Sequence, residues 1–207
     1  MQLAPSSSTA PPPDDAGRIV AAARRHFFAH GFRGVTMADL ATELGMSKKT
    51  LYAHFASKAV LLEAVLAAKF RSAESDFGAI SGKFSSDFIA ALQDLLTCVR
   101  RHAEELQPPF LRDMARENPE LFQTVQARRR TLIQRHFGKL IGEGRKSGMI
   151  RKDIDAEVMI EILVGATDSL VNPQKLSQLN LPAKTALSAI VTLFLEGVLT
   201  DQGRKKS

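Results

Sequence analysis

The sequence predicts an all-α protein built from two helical parts. Apolar residues recur at spacings of three and four along most of the chain, which is the period of an amphipathic helix, and no stretch alternates as a strand does. Residues that start and stop helices, chiefly Asp, Ser, Thr, Gly and Pro, separate these apolar runs. Two short runs joined by a glycine lie near the N-terminus, and longer runs follow. These observations predict an N-terminal three-helix unit with a helix-turn-helix, and a C-terminal helical domain.

The first helix is predicted to run from Asp14 or Asp15 to about His30. Either aspartate can cap its N-terminus, and Gly31 is a natural stop because glycine adopts positive φ angles without strain. The inward face of this helix is expected to hold Ile19, Ala22, Ala23 and Phe27.

Two short helices are predicted next. Thr36 begins the second helix, and Asp39 three residues later completes a variant of the capping box. Gly45 ends this helix, and Ser47 caps the third helix almost at once. Helices this short are marginally stable alone, so we expect both to pack on the first helix. Two short helices joined by a tight glycine turn predict a helix-turn-helix over about residues 36–55.

Longer helices are predicted in the rest of the chain. Ser57 is expected to cap a fourth helix with Leu61, Leu62, Val65 and Leu66 facing inward. The Gly- and Ser-rich stretch AISGKFSS is interpreted as a loop or a joint between domains. Further helices are expected at about 86–105, 110–116, 119–146, 156–171 and 184–199, followed by a polar, frayed tail.

Composition and cysteine content exclude several classes of protein. The net charge is +6 and the pI is about 9.7, which favours an anionic partner only weakly. The one cysteine, Cys98, is expected to be a buried structural thiol, and a single cysteine predicts a cytoplasmic protein without disulfides. Neither a signal peptide nor a membrane span is predicted. The five histidines lack metal-binding spacing and no phosphate loop or nucleophile motif occurs, so we expect no metal, no cofactor and no enzyme activity.

The segment MSKKTLYAHFASK, residues 46–58, carries the functional signal. On a helix that starts at Ser47, Leu51 and Phe55 share the inward face, and the polar side chains project elsewhere. An α-helix fits the DNA major groove, where lysine can donate to guanine and threonine can contact thymine or phosphate. The candidate DNA-binding residues are Thr36, Ser47, Lys48, Lys49, Thr50, Tyr52, His54 and Lys58. The alternative is a solvated basic helix face with no partner.

The stretch GFRGVTMADLATELGMSKKTLYAHFASKAVLLEAVL resembles the DNA-binding region of the tetracycline-repressor (TetR) family, and the resemblance covers about residues 14–70. It implies a homodimeric transcriptional regulator, usually a repressor that a small-molecule effector releases from a palindromic double-stranded DNA operator. It also implies base contacts within residues 47–50, and phosphate contacts from Thr36, Tyr52, His54 and Lys58. Two positions depart from the family pattern. Lys49 stands where a small residue is common, and Ala59-Val60 replaces a frequent acidic pair.

With this resemblance, the predicted organisation is a disordered leader at 1–13, a helix-turn-helix DNA-binding domain at 14–74, and an effector-binding and dimerisation domain at 75–207. The last two long helices are apolar on more than one side, which predicts a two-fold dimer interface, with a single larger core as the alternative. The candidate interface residues are Val158, Ile162, Leu187, Val191, Phe194 and Val198.

The effector pocket is expected between the fourth and seventh helices. Its candidate residues are Phe84, Phe88, His102, Phe110, Met114 and Phe122, each of which is alternatively an ordinary core residue. Few fixed charges occur among them, so an apolar or aromatic effector is expected. The run Arg128-Arg129-Arg130 either forms a solvated face or attracts an acidic effector.

Two other functions remain open at this level. The protein could be an adaptor whose C-terminal domain responds to a protein partner, in which case an exposed apolar patch and no internal cavity are expected. It could also bind DNA without sequence preference, with an affinity that follows salt concentration alone.

Overall fold

The structure is a computed structural model that describes residues 14–205, and the predicted leader at 1–13 lies outside the described residues. Within that range the chain forms eleven helices, and the sole β pairing is an isolated bridge between Ile150 and Leu199. The all-α prediction is therefore confirmed. The helices are α1 Asp15–His30, α2 Met37–Glu43, α3 Lys48–His54, α4 Lys58–Ser81, α5 Phe88–Glu104, α6 Pro108–Glu117, α7 Pro119–Lys146, α8 Ala156–Leu170, α9 Pro173–Gln178, α10 Ala183–Val198 and α11 Asp201–Arg204.

The predicted caps define the first four helices. Asp14 caps α1 through a hydrogen bond from the Ala16 amide, and Thr36 and Asp39 form the complete capping box of α2. Ser47 and Ser57 accept hydrogen bonds from amides in the first turns of α3 and α4. These caps satisfy helix amides that otherwise lack partners, so the sequence determines locally where each short helix begins.

Helix α2 packs on α1, and α3 packs on α2 with Leu51 in the shared core. Ile19 and Phe27 on α1 are fully buried, and so are Leu51 on α3 and Leu61 on α4. Helix α1 packs along α4 and also contacts α2 and α6. The inward residues predicted for the first, third and fourth helices are buried, and so are Met37, Leu40 and Ala41 on α2.

Helix α4 is continuous for 24 residues, from the edge of the helix-turn-helix into the C-terminal half of the chain. It passes through the predicted domain division at 74–75 without a break, and the chain turns only at 82–87. Its first turns pack against α1, and its later turns pack against α5 and α7. The domain division remains a prediction, and α4 is common to both parts.

The C-terminal helices agree with the predicted positions, with two additions. The pairs α7 with α8, α5 with α10, and α8 with α10 make the main contacts. The sequence prediction missed α9, which Asn172 caps by accepting from the Lys175 amide. The predicted frayed tail is instead a short helix capped by Thr200, because Gly203 packs closely on the Met149 carbonyl. Within residues 14–205, no single helix is long and apolar enough to cross a membrane.

Helix α6 is held against the end of α1 by close contacts around Gly31. The Gly31 backbone has φ 86° and ψ 163°, a region essentially restricted to glycine. The Asp113 carboxylate accepts a hydrogen bond of 2.9 Å from the Arg33 amide. A Cβ atom at Gly31 would lie 2.5 Å from Asp113 Oδ2, so the junction requires glycine in both conformation and space.

We expect Gly31→Ala to lower the free energy of unfolding by roughly 2 kcal/mol or more, because strain and the clash with Asp113 add together. Gly142→Ala is the matched control, since Gly142 lies on an exposed face of α7 with no atom near its added methyl group. The free energy of unfolding of Gly142→Ala should rise by about 0.5–1 kcal/mol. Urea denaturation of both variants measures the two changes, and wild-type stability in Gly31→Ala would contradict the argument.

Candidate functional site

Helix α3 presents its polar side to solvent while its apolar side is pinned to the core. Leu51 is fully buried and Phe55 is nearly so. Lys48 and Lys49 are exposed in the first turn of the helix. An exposed N-terminal turn on the second helix of a helix-turn-helix is the part that reaches base edges in the major groove.

The other polar groups of α3 are also exposed, but two of them serve the helix cap. Ser47 Oγ accepts a 3.0 Å hydrogen bond from the Thr50 amide, and the two hydroxyls lie 2.8 Å apart. Tyr52 is 47% exposed and His54 is exposed in the last turn. About half of the Tyr52 surface is therefore available to a partner.

Thr36 is exposed at the start of α2, and its hydroxyl is already engaged. It donates to Asp39 Oδ2 at 2.7 Å and accepts from the Asp39 amide at 3.1 Å. The hydroxyl and the backbone amide of Thr36 both donate to the Asp39 carboxylate and lower the pKa of Asp39, so a carboxylate occupies the helix end where the resemblance places a phosphate contact. The contact from Thr36 remains a prediction, and it requires the hydroxyl to reorient toward DNA.

Lys58 differs from the other candidate DNA-binding residues because it is partly buried. Its ammonium lies 4.3 Å from the centre of the Phe32 ring, which is a cation–π contact. Partial burial lowers the pKa of Lys58, and the nearby carboxylates Asp113 and Glu117 oppose that effect. The side chain thus links α4 to the α1–α6 junction, and its phosphate contact remains a prediction.

An ion-pair contact that was not predicted joins α1 to α2. Glu43 at the end of α2 accepts from Arg25 Nη2 at 2.9 Å and contacts His26 Nε2. His26 and His30 lie on one face with ring centres 5.8 Å apart, as their spacing predicts. Glu43 therefore helps to orient α2 on α1. A contact between residues on different helices could not be predicted from the spacing of residues along one helix.

The three-helix unit with an exposed, basic α3 defines a helix-turn-helix DNA-binding protein of the transcriptional-regulator class. Residues 19–65 match the family model for bacterial regulatory proteins of the tetR family. Over these residues the chain is similar to transcriptional regulators of the TetR family.

A sequence relative and two solved structures extend the similarity over most of the chain. The uncharacterized HTH-type transcriptional regulator YvaF of Bacillus subtilis (strain 168) is 26% identical over 173 residues, which cover 81% of this chain and 87% of YvaF. A TetR transcription regulator from Haloarcula marismortui has the same fold with a TM-score of 0.66 at 19% identity, covering 90% and 99% of the two chains. SmeT, the repressor of the Stenotrophomonas maltophilia multidrug efflux pump SmeDEF, has a TM-score of 0.61 at 15% identity, covering 91% and 92%.

A cavity of about 180 Å³ lies among helices α4 to α8 and α10. Four of the predicted pocket residues line it, namely His102, Phe110, Met114 and Phe122. Phe84 and Phe88 do not line it. They are buried with ring centres 6.3 Å apart, and Phe88 packs at Gly144, so they are core residues of the far end of the helical domain.

Lys69 contributes a buried charge to the cavity wall. Its ammonium donates to His102 Nδ1 at 2.8 Å and contacts Glu105 at 3.0 Å. Arg24 on α1 donates to the same Glu105 carboxylate at 2.5 Å. Burial lowers the pKa of both Lys69 and His102, and the nearby ammonium lowers that of His102 further. The chain of contacts joins the cavity wall to the helix-turn-helix domain through charged groups.

Lys69 was not among the predicted pocket residues, although its position on α4 is informative. Lys69 falls on the apolar face of α4, four residues after Val65 and four before Ala73, both of which are buried. A charged residue on a buried helix face needs a partner, which makes it a candidate for function.

The described residues hold one trio of potential metal ligands, which the sequence analysis did not anticipate because its members come from two helices. Asp76, Cys98 and His102 place one ligand atom each within 4.8 Å of one another. His102 Nε2 lies 2.9 Å from Asp76 Oδ2, and Arg101 donates to the same oxygen at 2.7 Å. Burial raises the pKa of the Cys98 thiol. Because Asp76 contacts both His102 and Arg101, the trio is a hydrogen-bonded cluster that already has the Arg101 cation beside it.

The candidate dimer residues divide into two groups on α8 and α10. Val158 and Ile162 are 49% and 58% exposed on the outer face of α8. Val191, Phe194 and Val198 are buried within the subunit, and Leu187 lines the cavity. Leu193, which the sequence analysis did not select, is 71% exposed. On α10 the exposed apolar side chain is therefore Leu193, one position before Phe194, which was the predicted interface residue.

We expect Lys48→Ala to weaken binding to the preferred DNA site, identified by selection from random double-stranded DNA, by about 1–3 kcal/mol. We also expect it to relax the preference at one base position. Lys83→Ala is the control, because it removes one exposed lysine at the loop 82–87, which is separate from the helix-turn-helix. Fluorescence anisotropy on the site and on random DNA measures both. An equal loss from Lys48→Ala on the two DNAs would assign Lys48 to a phosphate.

Proposed function

We propose that this protein is a TetR-family regulator, a homodimeric repressor that binds a palindromic operator and is released by a small-molecule effector. The observation that carries the proposal is the pairing of an exposed α3 with an internal cavity, joined by the continuous helix α4. The known repressor activity of the structural neighbour SmeT supports repression. The DNA contacts proposed for the residues of α2 and α3 follow from their exposure and from the family resemblance.

The exposed apolar face of α8 and α10 supports a two-fold dimer. The helices pack beside each other and expose Val158, Ile162 and Leu193. Gly165 and Gly197 are also exposed, with no atom near an added Cβ, and small residues of this kind let a second helix pair approach closely. A two-fold dimer of this kind would place two α3 helices on successive major grooves, about 34–36 Å apart.

The internal cavity supports a small-molecule effector over a protein partner. The adaptor alternative expects no such cavity. Phe110 lines the cavity and its ring centre lies 4.7 Å from that of Phe28 on α1. The Gln107 amide at the start of α6 also donates to the Phe28 carbonyl at 3.2 Å. A ligand that moves the cavity wall therefore acts directly on the helix that supports α2 and α3, and it weakens DNA binding if it favours the wrongly spaced state.

Selection of bound sites from random double-stranded DNA tests the function. We expect an enriched palindrome whose half-sites are about 10 base pairs apart, or a multiple of that spacing, because the two α3 helices must meet the same face of the duplex. Binding that depends on salt and enriches no sequence would instead establish non-specific DNA binding.

The dimer is tested by Leu193→Glu, which places a charge in the exposed apolar face of α10. We expect this variant to sediment as a monomer and to lose at least tenfold in affinity for the selected palindrome. Leu179→Glu is the matched control, because Leu179 is 49% exposed at the end of α9, away from that face. It should remain dimeric. A dimeric Leu193→Glu variant would remove this face from the interface.

A further inference from the structure

The cavity wall is apolar but carries positive charge without negative charge. Lys69 and Arg129 both line it, while the described residues of the wall include no aspartate or glutamate. The carboxylates that pair with the two cations, Glu105 and Asp168, lie behind the wall. The remaining surface is dominated by aromatic and aliphatic side chains, among them Phe70, Phe77, Phe122, Leu132 and Ile133.

At the Arg129 end, one carboxylate serves two guanidinium groups. Arg129 Nη2 donates to Asp168 Oδ1 at 2.8 Å, and Arg130 Nη2 donates to Asp168 Oδ2 at 3.0 Å. The remaining contacts of Arg129 are to uncharged acceptors, the carbonyls of Thr167 and Val171, at 3.3 Å each. A net positive charge therefore remains at this end of the cavity. Arg128 and Arg130 are exposed, as predicted for a solvated face, while Arg129 lines the cavity.

Arg129 also has a donor left over. Its Nε atom is buried and finds no hydrogen-bond partner among residues 14–205. Buried donors in folded proteins nearly always have acceptors, so the unpaired donor of a residue that lines a cavity is a candidate to bind an acceptor there. An anionic oxygen supplied by a ligand satisfies both the unpaired donor and the excess charge.

Lys69 is the weaker candidate for the same role because its donors are already committed. Its ammonium has three hydrogens, and it contacts His102 Nδ1, the His102 carbonyl and the Glu105 carboxylate at 2.8, 3.1 and 3.0 Å. A ligand anion at Lys69 would have to displace one of these contacts. At Arg129 it displaces none.

We propose that the effector is a predominantly apolar organic molecule with a single anionic group, such as a carboxylate, which accepts a hydrogen bond from Arg129 Nε. This inference rests on the proposed function for its regulatory meaning, because it names the chemical class of the effector. The aromatic and aliphatic wall buries the body of the molecule, and Arg129 on α7 orients its charged end toward α8. Neutral molecules of the same shape gain the apolar contacts alone.

The test uses 4-butylbenzoate and its neutral counterpart 4-butylbenzamide, titrated by calorimetry into the full-length protein without DNA. We expect the wild-type protein to bind the benzoate at least tenfold more tightly than the benzamide. In Arg129→Met this preference should disappear while benzamide binding persists, which shows that the cavity is intact. Arg130→Met is the matched control, since Arg130 contacts the same Asp168 carboxylate but does not line the cavity. Its preference should stay within twofold of wild type.

Three results would overturn the inference. The first is equal wild-type affinity for the two compounds, and the second is an equal loss of preference in Arg129→Met and Arg130→Met. The third is an unchanged preference for the benzoate in Arg129→Lys, which keeps the charge opposite Asp168 but removes the Nε donor. This variant is used if Arg129→Met does not fold.

The outcome is separable from that of the proposed function. Failure to select a palindromic site would overturn the repressor proposal and leave the anion preference standing. A selected operator that the benzamide releases as readily as the benzoate would overturn the anion inference and leave the repressor proposal standing.

Discussion

The packing of α1 along α4 is the interaction on which the rest of the molecule depends. The short helices α2 and α3 cannot persist alone, and they are held by the buried surface that α1 and the first turns of α4 provide, around Phe27, Leu51 and Leu61. Farther along, α4 contributes Lys69 and Phe77 to the cavity wall. Because a 24-residue helix is stiff, a displacement at one end is carried to the other. The same element therefore supports the helix-turn-helix and lines the cavity.

Two sets of contacts connect the cavity wall to α1, one through α6 and the other through Lys69 of α4. The Phe28–Phe110 ring pair and the Gln107–Phe28 hydrogen bond join α6 to α1, and Arg24 reaches the Glu105 carboxylate beside Lys69. The first set lies within one helical turn of Gly31, where α1 ends against Asp113. Packed contacts of this kind switch between discrete arrangements more readily than they deform continuously. A ligand that reshapes the wall at Phe110 therefore has a short route to the helix-turn-helix.

The parts of the structure that were predictable from sequence are those encoded by local chemistry. Thr36, Ser47 and Ser57 cap helices through hydrogen bonds within three residues, so the sequence indicates the start of each helix directly. Side-chain roles that depend on neighbouring helices were harder to predict. Leu193 and Phe194 are adjacent and both apolar, yet one is exposed and the other buried, and periodicity cannot separate them on a helix that is apolar nearly all round. Phe84 and Phe122 likewise differ only in which helices surround them.

The charged groups around the cavity argue for recognition more than for stability. A hydrophobic side chain at Lys69 or Arg129 would avoid the cost of desolvating a cation, and buried ion pairs seldom repay that cost in net stability. Lys69 uses its charge to join three helices, since Arg24, Glu105 and His102 converge on one hydrogen-bonded chain. Arg129 shares its carboxylate partner with Arg130, and its Nε donor has no acceptor among residues 14–205. A buried donor without an acceptor costs free energy, so this residue does not contribute mainly to stability. The proposed anionic effector would supply that acceptor, and Arg129 would then distinguish anionic from neutral molecules.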